Sequence, residues 1–371
     1  MKKMILSLVI AAVTLCSCGV NVVDGENDKA ESKALYADTI VNTYGTGRIY
    51  GNKPARYIDY DTMKATVLCA KPNCTHTTNE CAGVMIGDCP IIYNDYIYYF
   101  KYSHKIEETG KGERELKIKS KLCRISTATS EEEELVTFTD CEPRDYDGWI
   151  MYNDKVFFTA DDLNPQENGY GNISTSNVGG RHFFCVIDLK TNKYKNYGSV
   201  YDGDKQYEGA QFTSSAQIDG FYNNKIYINY EFAKEDINKI DVHKDGLPEF
   251  TELMFEYDPK TDTINQCDLP KDINFMNNDT YIYNENGKTI VLNNGKVKIV
   301  DVEGGTFASC FNDKLFVRDK AVWIDLEDMS EHSMGEYADF IVIDYYDGCY
   351  ILMKVLETVK LTEDELFALG D

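Results

Sequence analysis

Ile150-Met151-Tyr152-Asn153-Asp154-Lys155-Val156-Phe157-Phe158 reads as two short strands about an Asn-Asp turn, with apolar and aromatic residues on both sides. Alternation around an Asn/Asp/Gly turn is the strongest short-range hairpin signal a sequence carries. The unit returns at residues 91–99, 220–228 and 309–317, and in weaker form at 275–283 and 341–352. A second unit alternates with it: an apolar strand, an Asp or Ser, a polar turn and a further strand. Residues 184–192 are its clearest copy. Others begin at Tyr57, Leu122, Phe255 and Val322, with a degenerate one at Ile290. Two alternating hairpins make a four-stranded antiparallel blade, and one pair cannot bury its own apolar face, so a repeat of this period implies a stacked or radial array. Six inner and six outer hairpins predict an all-β fold, a six-bladed β-propeller. The chain opens on an outer hairpin (48–68) and ends on an inner one (341–352), so its N- and C-terminal strands are expected to share the closing blade, leaving no open edge.

The predicted organisation is a leader at 1–17, a lipidated cysteine and flexible tether at 18–40, the propeller at 41–360 and a short helical tail at 361–371. Met1-Lys2-Lys3 is basic, and Met4 to Leu15 is apolar but too short to span a bilayer as a helix. Leu15-Cys16-Ser17-Cys18 resembles the lipobox of bacterial lipoproteins. That resemblance implies that Cys18 becomes the lipidated N-terminus and that the protein sits outside the cytoplasm, anchored to the cell membrane. The stretch that follows is polar and acidic without apolar period, as in a tether. In the tail, Thr362 before Glu363, Asp364 and Glu365, with Gly370 as a stop, is a helix signature.

The chain has 371 residues, 27 of them Tyr, and a formal charge of −24. Loss of the leader removes Lys2 and Lys3, so the charge becomes −26 (−24 less two positive charges). Such a surface repels nucleic acid and anionic lipid, which excludes nucleic acid as a partner.

Cys69, Cys74, His76 and Cys81, followed by Cys89, form the most unusual segment. Two chemistries fit it. One or two disulfides would staple a long loop in an exported protein. Alternatively, three cysteines with His76, or four cysteines, would make a tetrahedral zinc site. Paired C-x2-C knuckles are missing, so disulfides are expected and no cofactor, with zinc or calcium the ions in question otherwise. With this loop, the lipobox and the Tyr-Asn-Asp hairpins, the chain resembles a group of uncharacterised bacterial lipoproteins with TolB-like six-bladed propellers. The resemblance implies fold and location; it implies no activity.

In a meander, turns within hairpins share one end of the blades. Links from inner to outer hairpin, and links between blades, share the other. The long irregular segments all fall in the second set: 69–89, 102–115, 160–181, 199–217 and 231–251. Long loops at one end of a rigid scaffold are where binding sits. The candidate binding residues there are Tyr102, His104, Tyr170, His182, Tyr207, Phe232 and His243. Aromatics with polar tips suit a protein, peptide or glycan partner. No Gly-x-Ser-x-Gly elbow, His-Glu-x-x-His or phosphate loop occurs, which points away from an enzyme. The expected function is partner binding by a monomeric, membrane-anchored propeller. A propeller hydrolase or lyase acting on glycans and an envelope assembly scaffold are the alternatives.

Overall fold

In the computed structural model the Asn-Asp turns adopt the backbone their sequence demands. Asn94 and Asp95 (φ 46° and 63°), Asn153 and Asp154 (52° and 57°), Asn223 and Asn224 (49° and 59°) and Asn312 and Asp313 (46° and 59°) are left-handed at both central positions. That is the type I′ geometry whose twist matches the flanking strands. The structure describes residues 35–37, 43–44, 46–50, 54–78, 80–86, 89–108, 114–145, 148–162, 182–197, 212–233, 250–270, 273–286, 288–300, 307–354 and 357–369.

The strands form seven antiparallel sheets in chain order, so the propeller has seven blades rather than six. Blade 1 is Thr43–Tyr44, Gly47–Tyr50, Arg56–Asp59 and Lys64–Val67; blade 2 is Ile91–Tyr93, Tyr96–Glu108, Arg114–Ser126 and Glu132–Phe138. Blade 3 is Trp149–Tyr152, Lys155–Asp162, His182–Asp188 and Lys193–Asn196, and blade 4 is Phe212–Tyr222, Lys225–Ala233, Phe250–Asp258 and Thr263–Gln266. Asn274–Asn277, Thr280–Glu285, Lys288–Asn293 and Lys296–Val300 make blade 5, and Phe307–Phe311, Lys314–Val317, Val322–Asp325 and Glu331–Ser333 make blade 6. Blade 7 has three strands, Ile341–Tyr346, Cys349–Lys354 and Glu357–Thr362.

The extra blade has two sources. Blade 1 carries its own inner hairpin, Thr43–Tyr44 with Gly47–Tyr50, whose turn lacks the Asn-Asp pair and whose first strand is two residues long. Blade 7 adds Glu357–Thr362 as a third strand. The termini therefore do not share a blade. Instead blades 7 and 1 pack face to face: Ile58 and Tyr60 bury with Ile343 and Ile351. The other neighbours follow suit. One apolar cluster joins blades 1 to 3, a second joins blades 3 and 4, a third blades 5 and 6, and a fourth blades 6 and 7. Between blades 4 and 5, Phe275 stacks on Tyr227 with ring centroids 4.6 Å apart.

Leu35–Ala37, expected in the tether, is a strand. It pairs antiparallel with Trp149–Met151 on the innermost edge of blade 3. The 102–115 segment is likewise no irregular loop: Tyr96–Glu108 and Arg114–Ser126 pair in register from Tyr96↔Ser126 to Glu108↔Arg114. At the C-terminus, helix α2 (Glu363–Ala368) starts on a capping box between Thr362 and Glu365. Its Leu366 is buried beside Trp323 and Tyr350.

Candidate functional site

At the end of blade 3 that faces the inner-to-outer links, Asp161 and His182 form the last backbone pair of the two middle strands. Cys141–Pro143 runs antiparallel alongside and delivers Arg144 to the same place. His182 Nδ1 lies 2.8 Å from Asp161 Oδ1 and 2.9 Å from Arg144 Nη1, and Arg144 Nη1 lies 3.2 Å from Asp161 Oδ1. Nδ1 can serve only one neighbour in a neutral ring: it donates to the carboxylate or accepts from the guanidinium. Burial works to raise the Asp161 carboxyl, but the His182 and Arg144 contacts outweigh it and hold that carboxyl below its ordinary range. Tyr102, from blade 2, donates its hydroxyl to the Pro143 carbonyl at 3.0 Å. Burial, with the nearby Asp145 carboxylate, pushes the Tyr102 phenol well up.

Two of the predicted face residues thus converge, but in a different role. His182 opens the third strand of blade 3, at the exit of the 160–181 segment as expected, but its side chain is fully buried against Asp161 and Arg144. Tyr102 is half-buried and braces blade 2 against blade 3. His104 and Phe232 lie on strands, opposite Ile118 and opposite Thr213 and Thr251 respectively; their side chains fall outside the described residues. Tyr170, Tyr207, His243 and Cys18 also lie outside the described residues. Sequence reading missed Arg144 and Asp161, which carry no local motif and meet only through strand pairing.

The second site is the link between blades 1 and 2. Cys69, Cys74, His76 and Cys81 bring their ligand atoms within 4.8 Å of one another. His76 Nδ1 is 3.5 Å from Cys81 Sγ. Asn73 and His76 take left-handed φ values of 58° and 57°, which fold the loop back on itself. Burial works to raise the Cys69 thiol, but hydrogen bonds from the Lys71 and Ala82 backbone and from the Cys81 and Cys74 thiols bring it below its ordinary value. Burial and the Cys69 and Cys74 thiols push Cys81 up to about 11, against a hydrogen bond from the Gly83 backbone. Cys89 is not in the group. It is buried in the core and its carbonyl accepts from Trp149 Nε1 at 2.7 Å. The expectation that the chain needs no cofactor is overturned here, since three sulfurs and an imidazole within this reach are a metal donor set. The described cysteines carry free thiols.

No protein-family model matches the chain, and no curated protein sequence matches it. Among solved structures it is similar to an oligogalacturonate lyase in complex with manganese, at 9% identity and a TM-score of 0.43 over 89% of this chain and 91% of that one. A second oligogalacturonate lyase, from Vibrio parahaemolyticus, aligns at 9% identity and a TM-score of 0.31, over 80% of this chain and 87% of that one. The acylaminoacyl peptidase of Pyrococcus horikoshii aligns at 12% identity and a TM-score of 0.39, covering 74% of this chain and 45% of that one. The chain thus spans less than half the length of the peptidase it matches.

Proposed function

We propose that this chain is a lipid-anchored propeller outside the cytoplasm that binds a protein, peptide or glycan partner at the end where blade 2 projects. The observation that carries this reading is the long blade 2 ribbon. Its outer strand stops at the pair Ser120↔Phe138, yet the two middle strands continue through six further pairs, from Ser103↔Lys119 to Glu108↔Arg114. Along that length neither edge of the ribbon is paired with another strand among the described residues. An open strand edge is a template for another chain, and strand addition is a recurring mode of peptide recognition. Blade 4 supports the same end: its three longer strands run on to Phe212, Ala233 and Phe250, beyond the last outer pair Phe255↔Gln266.

Cys18 supplies the anchor in this reading, since Leu15-Cys16-Ser17-Cys18 has the lipobox pattern. No helix among the described residues is long and apolar enough to cross a membrane. The test is cross-linking in cells followed by capture of the tagged full chain. A variant in which 103–119 is replaced by a two-residue turn is expected to lose the captured partner. Undiminished capture removes the ribbon from the reading. Cys18→Ala is expected to shift the chain out of the membrane fraction.

A propeller hydrolase or lyase is the second reading. The Asp161–His182 pair, at the link end of blade 3, motivates it, because a carboxylate that orients an imidazole is the arrangement of a general base, although this ring is buried and would act only once that end opens to a substrate. A screen of glycan substrates with wild-type protein and His182→Gln separates the two readings. Turnover that the variant loses supports an enzyme.

A further inference from the structure

We propose that Cys69, Cys74, His76 and Cys81 bind one zinc ion in a closed tetrahedral site that fastens the link between blades 1 and 2. The donor set is right in kind and number: three thiolates and one neutral imidazole form a known structural zinc shell. It is also right in size. Zinc holds sulfur at about 2.3 Å and nitrogen at about 2.0 Å, which places neighbouring ligand atoms between three and four ångströms apart. His76 Nδ1 and Cys81 Sγ already stand 3.5 Å apart, and all four atoms fall within 4.8 Å of each other.

The surroundings are those of a metal shell rather than of a disulfide. Three thiols and an imidazole are gathered at one point, and no S–S bond joins any of them. A disulfide between any two of the three cysteines leaves the third thiol and His76 without a purpose. Four protein ligands fill a tetrahedron, so no position remains for water or substrate, and the role is structural.

The link has little else to hold it. Between Cys69 and Cys81 the residues besides Cys74 are Ala, Lys, Pro, Asn, Thr, His and Glu, which cannot make a core of their own. At one end the Ala70 amide donates to Ser130 Oγ of the blade 2 outer turn at 2.7 Å. At the other, helix α1 (Ala82–Met85) and Ile86 bury against blades 1 and 2, and Gly83 accepts from the Ala55 amide at 2.6 Å. The ion therefore sits between two anchored ends and closes the loop that joins them. Binding energy of such an ion is folding energy for the segment that carries it.

The test uses the full chain, purified in detergent with thiols kept reduced. Elemental analysis is expected to give about one zinc per chain, and cobalt substitution to give the visible thiolate-to-cobalt charge-transfer absorption of a tetrahedral site. Cys74→Ser is expected to reduce bound zinc to below about a tenth of that, while Cys349→Ser, outside the group, retains it. In case Cys74→Ser fails to fold, alkylation of the native wild-type chain followed by peptide mass spectrometry decides the matter alone. Cys69, Cys74 and Cys81 are expected to be protected, and to become reactive together when a chelator is added. Zinc-free protein that takes up neither zinc nor cobalt overturns the proposal, as does a disulfide among the three cysteines in protein isolated from the cell envelope, or alkylation indifferent to the chelator.

Discussion

Lys360 donates its side-chain amine to the backbone carbonyl of Tyr60 at 3.3 Å, tying the last strand of blade 7 to blade 1 across 300 residues of sequence. The bond marks how the ring closes. Tyr60 and Tyr346 meet with ring centroids 5.8 Å apart, and Ile58, Ile343 and Ile351 fill the space beneath. Closure rests on this apolar packing rather than on a strand shared between termini. Ile351 is fully buried there, so Ile351→Ala is expected to cost about 2–5 kcal/mol from lost burial and the cavity left. Lys360→Ala removes one hydrogen bond of a half-buried group and is expected to cost no more than about 1 kcal/mol. Urea denaturation of the two variants checks the ordering. A smaller effect for Ile351→Ala than for Lys360→Ala contradicts closure by packing.

Helix α2 is held by a buried amine. Lys314 Nζ, with its side chain 7% exposed, lies 3.0 Å from Asp325 and 3.4 Å from Glu363. Burial lowers the affinity of the amine for its proton, but the Asp325 hydrogen bond and charge, with Glu363, win and raise its pKa above the ordinary 10.5. A raised amine pKa means that the stabilisation is complete below about pH 10.5 and is lost as pH rises through the folded value. Lys314→Met leaves the buried Asp325 without its counter-charge, with only the Glu327 amide on Oδ1, and is expected to cost about 3–5 kcal/mol near neutral pH. The gap between wild type and variant is expected to narrow above about pH 10.5, which melting curves over alkaline pH measure.

Asp219 works in the opposite sense. It is the extra residue of a bulge between Ile218 and Gly220 on the inner strand of blade 4. Burial first, then the Glu252 charge, pushes its carboxyl up from 3.8 to about 7. The folded protein therefore holds a proton that the unfolded chain releases, so stability falls as pH rises through that interval and the full penalty is present above it. Asp219→Asn is expected to leave melting unchanged at about pH 4 and to raise the melting temperature at about pH 8. Equal shifts at both values would show that the carboxyl is ordinary.

The hairpins were legible because Asn and Asp at two successive turn positions leave few alternatives to a type I′ turn. A further regularity follows from the same turns: Tyr93 donates to Asp154 at 2.7 Å, and Tyr152 contacts Asn224 at 3.2 Å. Each of these tyrosines precedes its own turn and reaches the turn of the next blade. The hairpin of blade 1 was not legible, because a two-residue strand has no alternation to read. The cysteine spacing from 69 to 81 marked a cluster, but it could not exclude Cys89, whose place is set by Trp149 from 60 residues away. Asp161 and His182 come from two strands and Arg144 from the residue after a third, and only the register of blade 3 brings them together.

Gly220 offers a test of the contact between blades 4 and 5. A Cβ built there stands 2.4 Å from Cβ of Phe275 and 2.8 Å from its Cγ, so the neighbour must move. Phe275 has little room to yield, since its ring stacks on Tyr227 and meets Tyr222 and Tyr281 edge-on or tilted. Gly220→Ala is expected to destabilise the protein by about 1–3 kcal/mol through overpacking. Phe275→Ala alone, at a half-buried position, is expected to cost about 1–3 kcal/mol. In the double variant the contacts with the ring are gone, and although Cβ of residue 275 stays, the space the ring has left lets it move away from the added methyl. The combined loss is therefore expected to fall short of the sum by about 1 kcal/mol or more, the sign of residues in direct contact. Strict additivity in a denaturation cycle would mean that the two residues do not touch, and that blades 4 and 5 meet elsewhere.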